Sequence, residues 1–379
     1  MCSRTRASWG SSASPERGWA ADAHVPALRA LPEYELTAVG TSRPETAREA
    51  ARVFGAAHAF TDARRLAEHP EVDLVAVTVK VAAHAELVDA ALAAGKHVYC
   101  EWPLGLTTGE AEGLAASARV AGVHEAIGLQ ARCAPAITYA RELLTGGRIG
   151  RVTAVNVHVA RGKGADGRTP AWAAYTLDRD QHAGLLEVVG GHTLDVLEYL
   201  AGDLTELSAA LAVSRPRYSV AETGETITAT APDQVALHGG LAGGAIVSVH
   251  LQDAKLGESR TVLEFTGTEG DLAVVAAGDW KTAQIQMGDP RLREAREAGG
   301  PWHDLPVPDR HIGPDRHGSV PGEVPPFARN VARLYARLAE DIREGTRRVP
   351  GFEHGVRVHR LLDAVRRSAE TGGRRPVDR

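Results

Sequence analysis

His192 stands three residues before Asp195 in the run Gly190-Gly191-His192-Thr193-Leu194-Asp195, a spacing that on a helix turns imidazole and carboxylate to one side. An imidazole with an ordinary pKa near 6.5 serves as a general acid or a general base, and the glycines before it let another group approach the backbone closely. The plainer reading is a helix-start histidine held in packing. Lys80 ends the apolar run Val75-Ala76-Val77-Thr78-Val79 and is one of only five lysines, at 80, 96, 163, 255 and 281, in an arginine-rich chain. An amine can give up its proton where a guanidinium cannot, so a lysine here suits proton transfer; a solvated strand-end cation or a phosphate contact are the alternatives. A third stretch, Gly95-Lys96-His97-Val98-Tyr99-Cys100-Glu101-Trp102-Pro103-Leu104-Gly105, reads as a buried strand entering a polar and aromatic turn that Pro103 holds extended.

The elements that position these residues follow from apolar periodicity. Helices are expected over 20–31, 44–54, 82–94 and 108–120, alternating with strands over 36–40, 73–79, 98–100 and 126–129. The nearly continuous apolar run at 73–79 is what a strand buried on both faces of a parallel sheet requires. Strand, helix, strand, helix at this rhythm means right-handed crossovers and a doubly wound parallel sheet, ending near Ala131. In such a sheet ligands sit outside the carboxyl ends of the strands, where Lys80 and Glu101 emerge.

From 132 onward the pattern changes. A helix at 136–144 and an alternating strand at 152–160 precede a Gly-rich loop at 162–168 and a helix over 185–200. Strands at 227–229, 234–237, 245–251, 261–266 and 272–275 follow without helices between them, which implies an open, mostly antiparallel sheet. The Pro-, Gly-, Asp- and Arg-rich run 279–325 reads as a long surface excursion, and two amphipathic helices, 327–342 and 355–369, close the chain. The expected domains are therefore 1–131 and 132–379.

Composition narrows the function classes. The chain has 379 residues, 44% of them apolar, with net charge −5 and no dense basic stripe, so a nucleic-acid surface is not expected. Three scattered cysteines, Cys2, Cys100 and Cys133, lack both a disulfide framework and zinc spacing, so no metal site is expected and a reducing cytoplasm is the simplest setting. No apolar run reaches membrane-spanning length, and the first residues lack the apolar core of a signal peptide.

The motif around Glu101-Trp102-Pro103, the Gly190-to-Asp195 run, the segment Gly128-Leu129-Gln130-Ala131-Arg132-Cys133-Ala134-Pro135 and the closing Phe352-Glu353-His354-Gly355 together resemble the Gfo/Idh/MocA family of nicotinamide-dependent oxidoreductases. The resemblance runs from about Trp19 to Pro376. It implies an N-terminal Rossmann domain followed by an α/β domain whose open sheet often mediates dimer contacts. A sugar or polyol-like substrate and a homodimer or homotetramer are implied with it. Family members usually carry Glu-Lys-Pro where this chain has Glu101-Trp102-Pro103, and an aspartate where it has Val188, beside Glu187. These versions are similar to the branch related to the galactose-pathway transcriptional co-repressor, which senses a dinucleotide without turning over substrate. Both an oxidoreductase and a regulator therefore stand as readings, with His192 and Lys80 as the candidate catalytic groups.

The candidate cofactor residues are Gly10, Ser11, Thr41, Ser42, Arg43, Lys80, Glu101, Trp102 and Pro103. Where folds of this type place an acid for the ribose hydroxyls, the chain has Thr41-Ser42-Arg43 and no carboxylate until Glu45. Small hydroxyls and an arginine suit a 2′-phosphate, so NADP is expected over NAD; an ordinary exposed loop arginine is the alternative. The first strand and its phosphate loop depart from the family, with polar residues 6–8 and only Gly10 and Gly18 to bracket the loop. Residues 1–17 read as loop by composition, and a misassigned start or a frameshift ahead of Gly10 would account for it.

Overall fold

The structure, a computed structural model, describes residues 5–10, 18–312 and 324–378. Contacts divide the chain into two compact units: Met1–Gln130 with Pro314–Arg357, and Ala131–Gly313 with Val358–Arg379.

The first unit is built on six parallel strands: β1 (Thr5–Gly10), β2 (Tyr34–Gly40), β3 (His58–Phe60), β4 (Leu74–Val77), β5 (His97–Cys100) and β6 (Glu125–Ile127). They lie in the order β3-β2-β1-β4-β5-β6, the doubly wound order expected for a dinucleotide-binding sheet. Helices α1 (Val25–Ala30), α2 (Pro44–Phe54), α3 (Ala63–Ala67), α4 (His84–Ala93) and α5 (Thr108–Ala121) supply the crossovers. All four residues of β4 are buried, as its unbroken apolar run demands. Gly55 and Gly122 close α2 and α5 in the left-handed conformation, at φ 63° and 68°.

The loop reading of residues 1–17 is corrected at β1. Its backbone pairs with β2 on one side and β4 on the other, with a register shift between Ala7 and Ser8. Ladder bonding on both edges depends on the backbone, which side-chain polarity does not remove. Ser11 and the side chains of Arg6, Ala7 and Ser8 lie outside the described residues.

A second difference concerns the segment returning from the expected domain 132–379. Helix Arg329–Glu344 packs in the first unit, burying Val331, Leu334, Tyr335 and Leu338. The Tyr34 hydroxyl donates to the Tyr335 carbonyl at 2.8 Å, and Arg347 pairs with Glu125 at 2.6 Å. Its amphipathic pattern is legible, but the surface it covers is some three hundred residues earlier in the chain.

The second unit opens with α6 (Pro135–Thr145) and carries α7 (Gly191–Ala201) against a large sheet. Its strands are β7 (Val152–Ala160), β8 (Arg168–Thr169), β9 (Leu204–Ala212), β10 (Arg217–Val220), β11 (Thr226–Thr228), β12 (Gln234–Leu241), β13 (Ile246–Gln252), β14 (Ser259–Gly267), β15 (Asp271–Gly278), β16 (Arg291–Ala295), β17 (His303–Leu305) and β18 (Arg375–Pro376). Nine form one sheet, β17-β16-β15-β14-β7-β13-β12-β9-β18, antiparallel except between β7 and β13. β12 and β13 bury alternate residues and leave the others open, which is the two-faced pattern expected of antiparallel strands. The expected excursion at 279–325 is corrected in part. Residues Ala283, Ile285 and Met287 are buried, and β16 and β17 extend the sheet as short strands, β17 at its edge, that Pro- and Gly-rich flanks concealed.

His359 is buried in this unit, and burial, reinforced by Arg366, pushes its pKa down to about 4 from 6.5. The unfolded chain therefore takes up a proton below pH 6.5 that the folded chain refuses. Stability should fall as pH drops from about 6.5 to about 4 and this contribution should then level off, with His359→Gln flattening the decline. Denaturant midpoints measured across that range check it.

Candidate active site

The candidate cofactor residues of the first unit emerge at the carboxyl ends of its strands. Gly10 ends β1 beside Gly40 of β2 and Val77 of β4, the point at which the strand order reverses. After β2, Thr41 is buried, donating its hydroxyl to the Arg43 carbonyl at 2.9 Å and sharing a 2.6 Å bond with the Thr46 hydroxyl. It organises the entry to α2. Ser42 and Arg43 are exposed, and among the described residues the Arg43 guanidinium has no hydrogen-bond or ion-pair partner. The first carboxylate is Glu45, exposed and 3.8 Å from Arg48. A free guanidinium and a hydroxyl beside a helix N-terminus suit a phosphate, so the donors present fit a phosphorylated dinucleotide.

Lys80 follows β4 in an extended conformation, exposed, with its carbonyl accepting the Ala83 N–H. Glu101 leaves β5 with its N–H bonded to the Val77 carbonyl. Its carboxylate turns inward: Tyr99 donates to Oε1 at 3.0 Å and the Trp19 indole to Oε2 at 3.1 Å. His24 Nε2 lies 3.1 Å from Oε1, an ion-pair distance without hydrogen-bond alignment, while His24 Nδ1 meets the Tyr335 hydroxyl at 2.9 Å. A Cβ on Gly128 would fall 2.7 Å from Oε1, so glycine there is needed for the close approach. Glu101 thus anchors the turn. Trp102 is buried. Pro103 is held by a residue the sequence reading passed over: His84, fully buried, places Nδ1 2.9 Å from the Pro103 carbonyl and Nε2 3.1 Å from that of Val79. Burial pushes the His84 pKa below its ordinary value. The ring ties the Glu101-Trp102-Pro103 turn to the strand end that carries Lys80.

His192 belongs to the second unit, near the start of α7, and is 3% exposed. A π-helical turn, Leu185–Gly190, leads into α7, and a Cβ on Gly190 would meet Leu186 and Leu251 side chains at 3.4 and 3.5 Å. The two carboxylates of this stretch are committed to arginines. Asp195, whose side chain is fully buried, receives Arg132 bidentately, with bonds of 2.6, 2.8 and 3.0 Å. Arg132 also lies over the Tyr199 ring at 4.7 Å. Glu187 accepts the Gly184 N–H at 3.2 Å and pairs with Arg366 at 2.9 Å. Asp195 is therefore a structural partner despite sharing a helical side with His192, and Arg132, quoted only within a motif, is the residue that fixes it. Lys163 adds another titratable group in this unit. It donates to the Thr176 hydroxyl at 2.9 Å, and burial, with Arg161 nearby, lowers its pKa to about 8.

Comparisons with known proteins agree with this architecture. Residues 17–128 match the model of the oxidoreductase family with NAD-binding Rossmann fold, and residues 135–276 that of the Gal80p C-terminal domain. The chain is 36% identical to the dehydrogenase aclE of Aspergillus oryzae over 55% of this chain, a match spanning only 58% of that protein. It is 26% identical to the levoglucosan dehydrogenase of Pseudarthrobacter phenanthrenivorans over 67% of this chain and 70% of that one. Among solved structures, an oxidoreductase domain protein from Kribbella flavida superposes with a TM-score of 0.84 at 26% identity, covering 99% of this chain and 100% of that one. No helix among the described residues is long and apolar enough to cross a membrane. With a matching Rossmann segment, a Gal80-like C-terminal segment and the shared fold, the chain belongs to the Gfo/Idh/MocA oxidoreductase family.

Proposed function

We propose that the chain is an NADP-linked oxidoreductase acting on a sugar or polyol-like alcohol or carbonyl, with His192 as its proton-transfer group. The observation that carries this reading is the commitment of Asp195 and Glu187 to arginine partners, so that His192 is the residue of that stretch whose side chain suits general acid–base work. The nicotinamide, when bound, supplies the hydride chemistry. Arg43 and Ser42 hold the 2′-phosphate, and Gly10 and Ser11 belong to the pyrophosphate side. Lys80 and the turn at Glu101, Trp102 and Pro103 border the nicotinamide side. The sugar substrate is supported by the levoglucosan dehydrogenase relative. The open face of the nine-stranded sheet, where Ile246 is 68% exposed, supports a homodimer or homotetramer, and the buried thiols of Cys100 and Cys133 agree with a reducing cytoplasm.

A second reading, a dinucleotide- or sugar-sensing regulator, is favoured by Trp102 in place of the usual lysine and by the Gal80p-type C-terminal match. Cofactor discrimination tests the binding half common to both. NADP(H) should bind more tightly than NAD(H), and Arg43→Ala should remove most of a roughly 10- to 100-fold difference, the worth of a charge-assisted phosphate contact. Fluorescence titration measures it. Equal affinities in the unmodified protein would sink the NADP assignment.

A further inference from the structure

His58, His69 and Glu71 bring two imidazoles and a carboxylate to one corner of the first unit, with one ligand atom of each within 4.8 Å of the others. His58 opens β3, the edge strand of the sheet, and the other two sit in the turn between α3 and β4. His58 Nε2 lies 2.6 Å from Glu71 Oε2, and the two imidazole centroids are 4.2 Å apart. The turn is fixed from behind. Thr37 donates to the Glu71 carbonyl at 2.8 Å, Lys96 Nζ donates to the Val72 carbonyl at 2.7 Å, and the Val72 N–H bonds to the His69 carbonyl at 3.1 Å. Ligands whose backbone is already ordered lose little freedom on binding an ion.

A tetrahedral ion with bonds of about 2.0–2.1 Å needs ligand atoms about 3.3 Å apart, so the 2.6 Å His58–Glu71 pair opens while the wider separations, all within 4.8 Å, close, adjustments within reach of side chains that are 32% (His58) and 51% (Glu71) exposed. Two imidazole nitrogens and one carboxylate oxygen suit zinc over magnesium or calcium, which prefer all-oxygen shells. We propose that His58, His69 and Glu71 hold one zinc-type divalent cation, water completing the shell, and that the ion staples edge strand β3 to the turn before β4. His69 Nδ1 accepts the Glu71 N–H at 3.2 Å, a long contact that the ion replaces when that nitrogen coordinates. His58 lies at the amino end of β3, whereas Thr41, Lys80 and Glu101 follow carboxyl ends of their strands. The site is thus separate from the cofactor residues and does not rest on the proposed activity. A three-residue edge strand has little pairing of its own, so a staple there has a stabilising role.

The test titrates zinc chloride into chelator-treated full-length protein by calorimetry and records melting with and without the ion. One zinc per chain should bind with a micromolar or lower dissociation constant, and a hundredfold excess over that constant should raise the melting temperature by about 5 °C. His69→Ala, and independently His58→Gln, should weaken binding at least tenfold while leaving dinucleotide affinity unchanged. Magnesium at the same concentration should not bind. Absence of zinc binding, or zinc binding unaffected by either substitution because other histidines supply it, would overturn the proposal. If one variant fails to fold, the other decides.

Discussion

His192→Ala is expected to lower turnover by about 10²-fold or more with cofactor affinity nearly unchanged. Oxidising an alcohol requires a group that accepts the hydroxyl proton as hydride leaves, and reducing a carbonyl requires one that returns it. The lysine usual in this family is replaced by Trp102, and the usual aspartate by Val188. Neither neighbouring acid substitutes for them, because Asp195 and Glu187 are tied to Arg132 and Arg366. The loss should therefore fall on kcat, and the pH limb attributable to the imidazole should vanish from the kcat profile. His192→Gln provides the same comparison at closer volume. Lys80→Met should lower turnover further in the His192→Ala background if the amine shares the task, and leave it unchanged if it does not. A His192→Ala protein that turns over normally would remove the imidazole from the mechanism.

The second large effect is on stability. Asp195→Ala should destabilise the second unit by about 3–5 kcal/mol, because it leaves the Arg132 guanidinium over the Tyr199 ring without its bidentate partner. Arg132 retains 18% side-chain exposure, which places the expected value towards the lower end. Replacing both partners, Asp195→Leu with Arg132→Met, should cost less than Asp195→Ala alone, since no buried charge is then stranded. Urea unfolding of the three proteins measures this. Turnover per folded molecule should change little in Asp195→Asn, which separates the structural carboxylate from the proton-transferring imidazole three residues before it.

The parallel sheet was legible because its signals are local. The unbroken apolar run of β4, the Gly closures of α2 and α5 and the regular strand-helix spacing need no knowledge of distant residues. β1 was not legible, because its place between β2 and β4 comes from backbone pairing. The candidate site divided in the same way. Lys80, Glu101 and His192 are recognisable from type and context, but whether each is an anchor or a working group depends on partners far along the chain. Glu101 meets Trp19, 82 residues away, and Arg132 meets Asp195, 63 residues away. His84 carried no motif at all, and its role appears only when its ring is found between two carbonyls. The His58, His69 and Glu71 cluster likewise has no recognised metal spacing, since β3 and the following turn are joined only by the fold.

Redox chemistry on a sugar-like substrate with NADP, as proposed for this chain, has a direct readout in the nicotinamide itself. The most direct measurement mixes the purified protein with NADP and a panel of sugars and polyols, and with NADPH and the corresponding lactones and ketoses, following reduced-nicotinamide absorbance. Turnover is expected with at least one member of the panel, faster with the phosphorylated cofactor and largely lost in His192→Ala. Saturable NADP binding with no turnover across the whole panel would contradict it and leave the dinucleotide-sensing regulator standing.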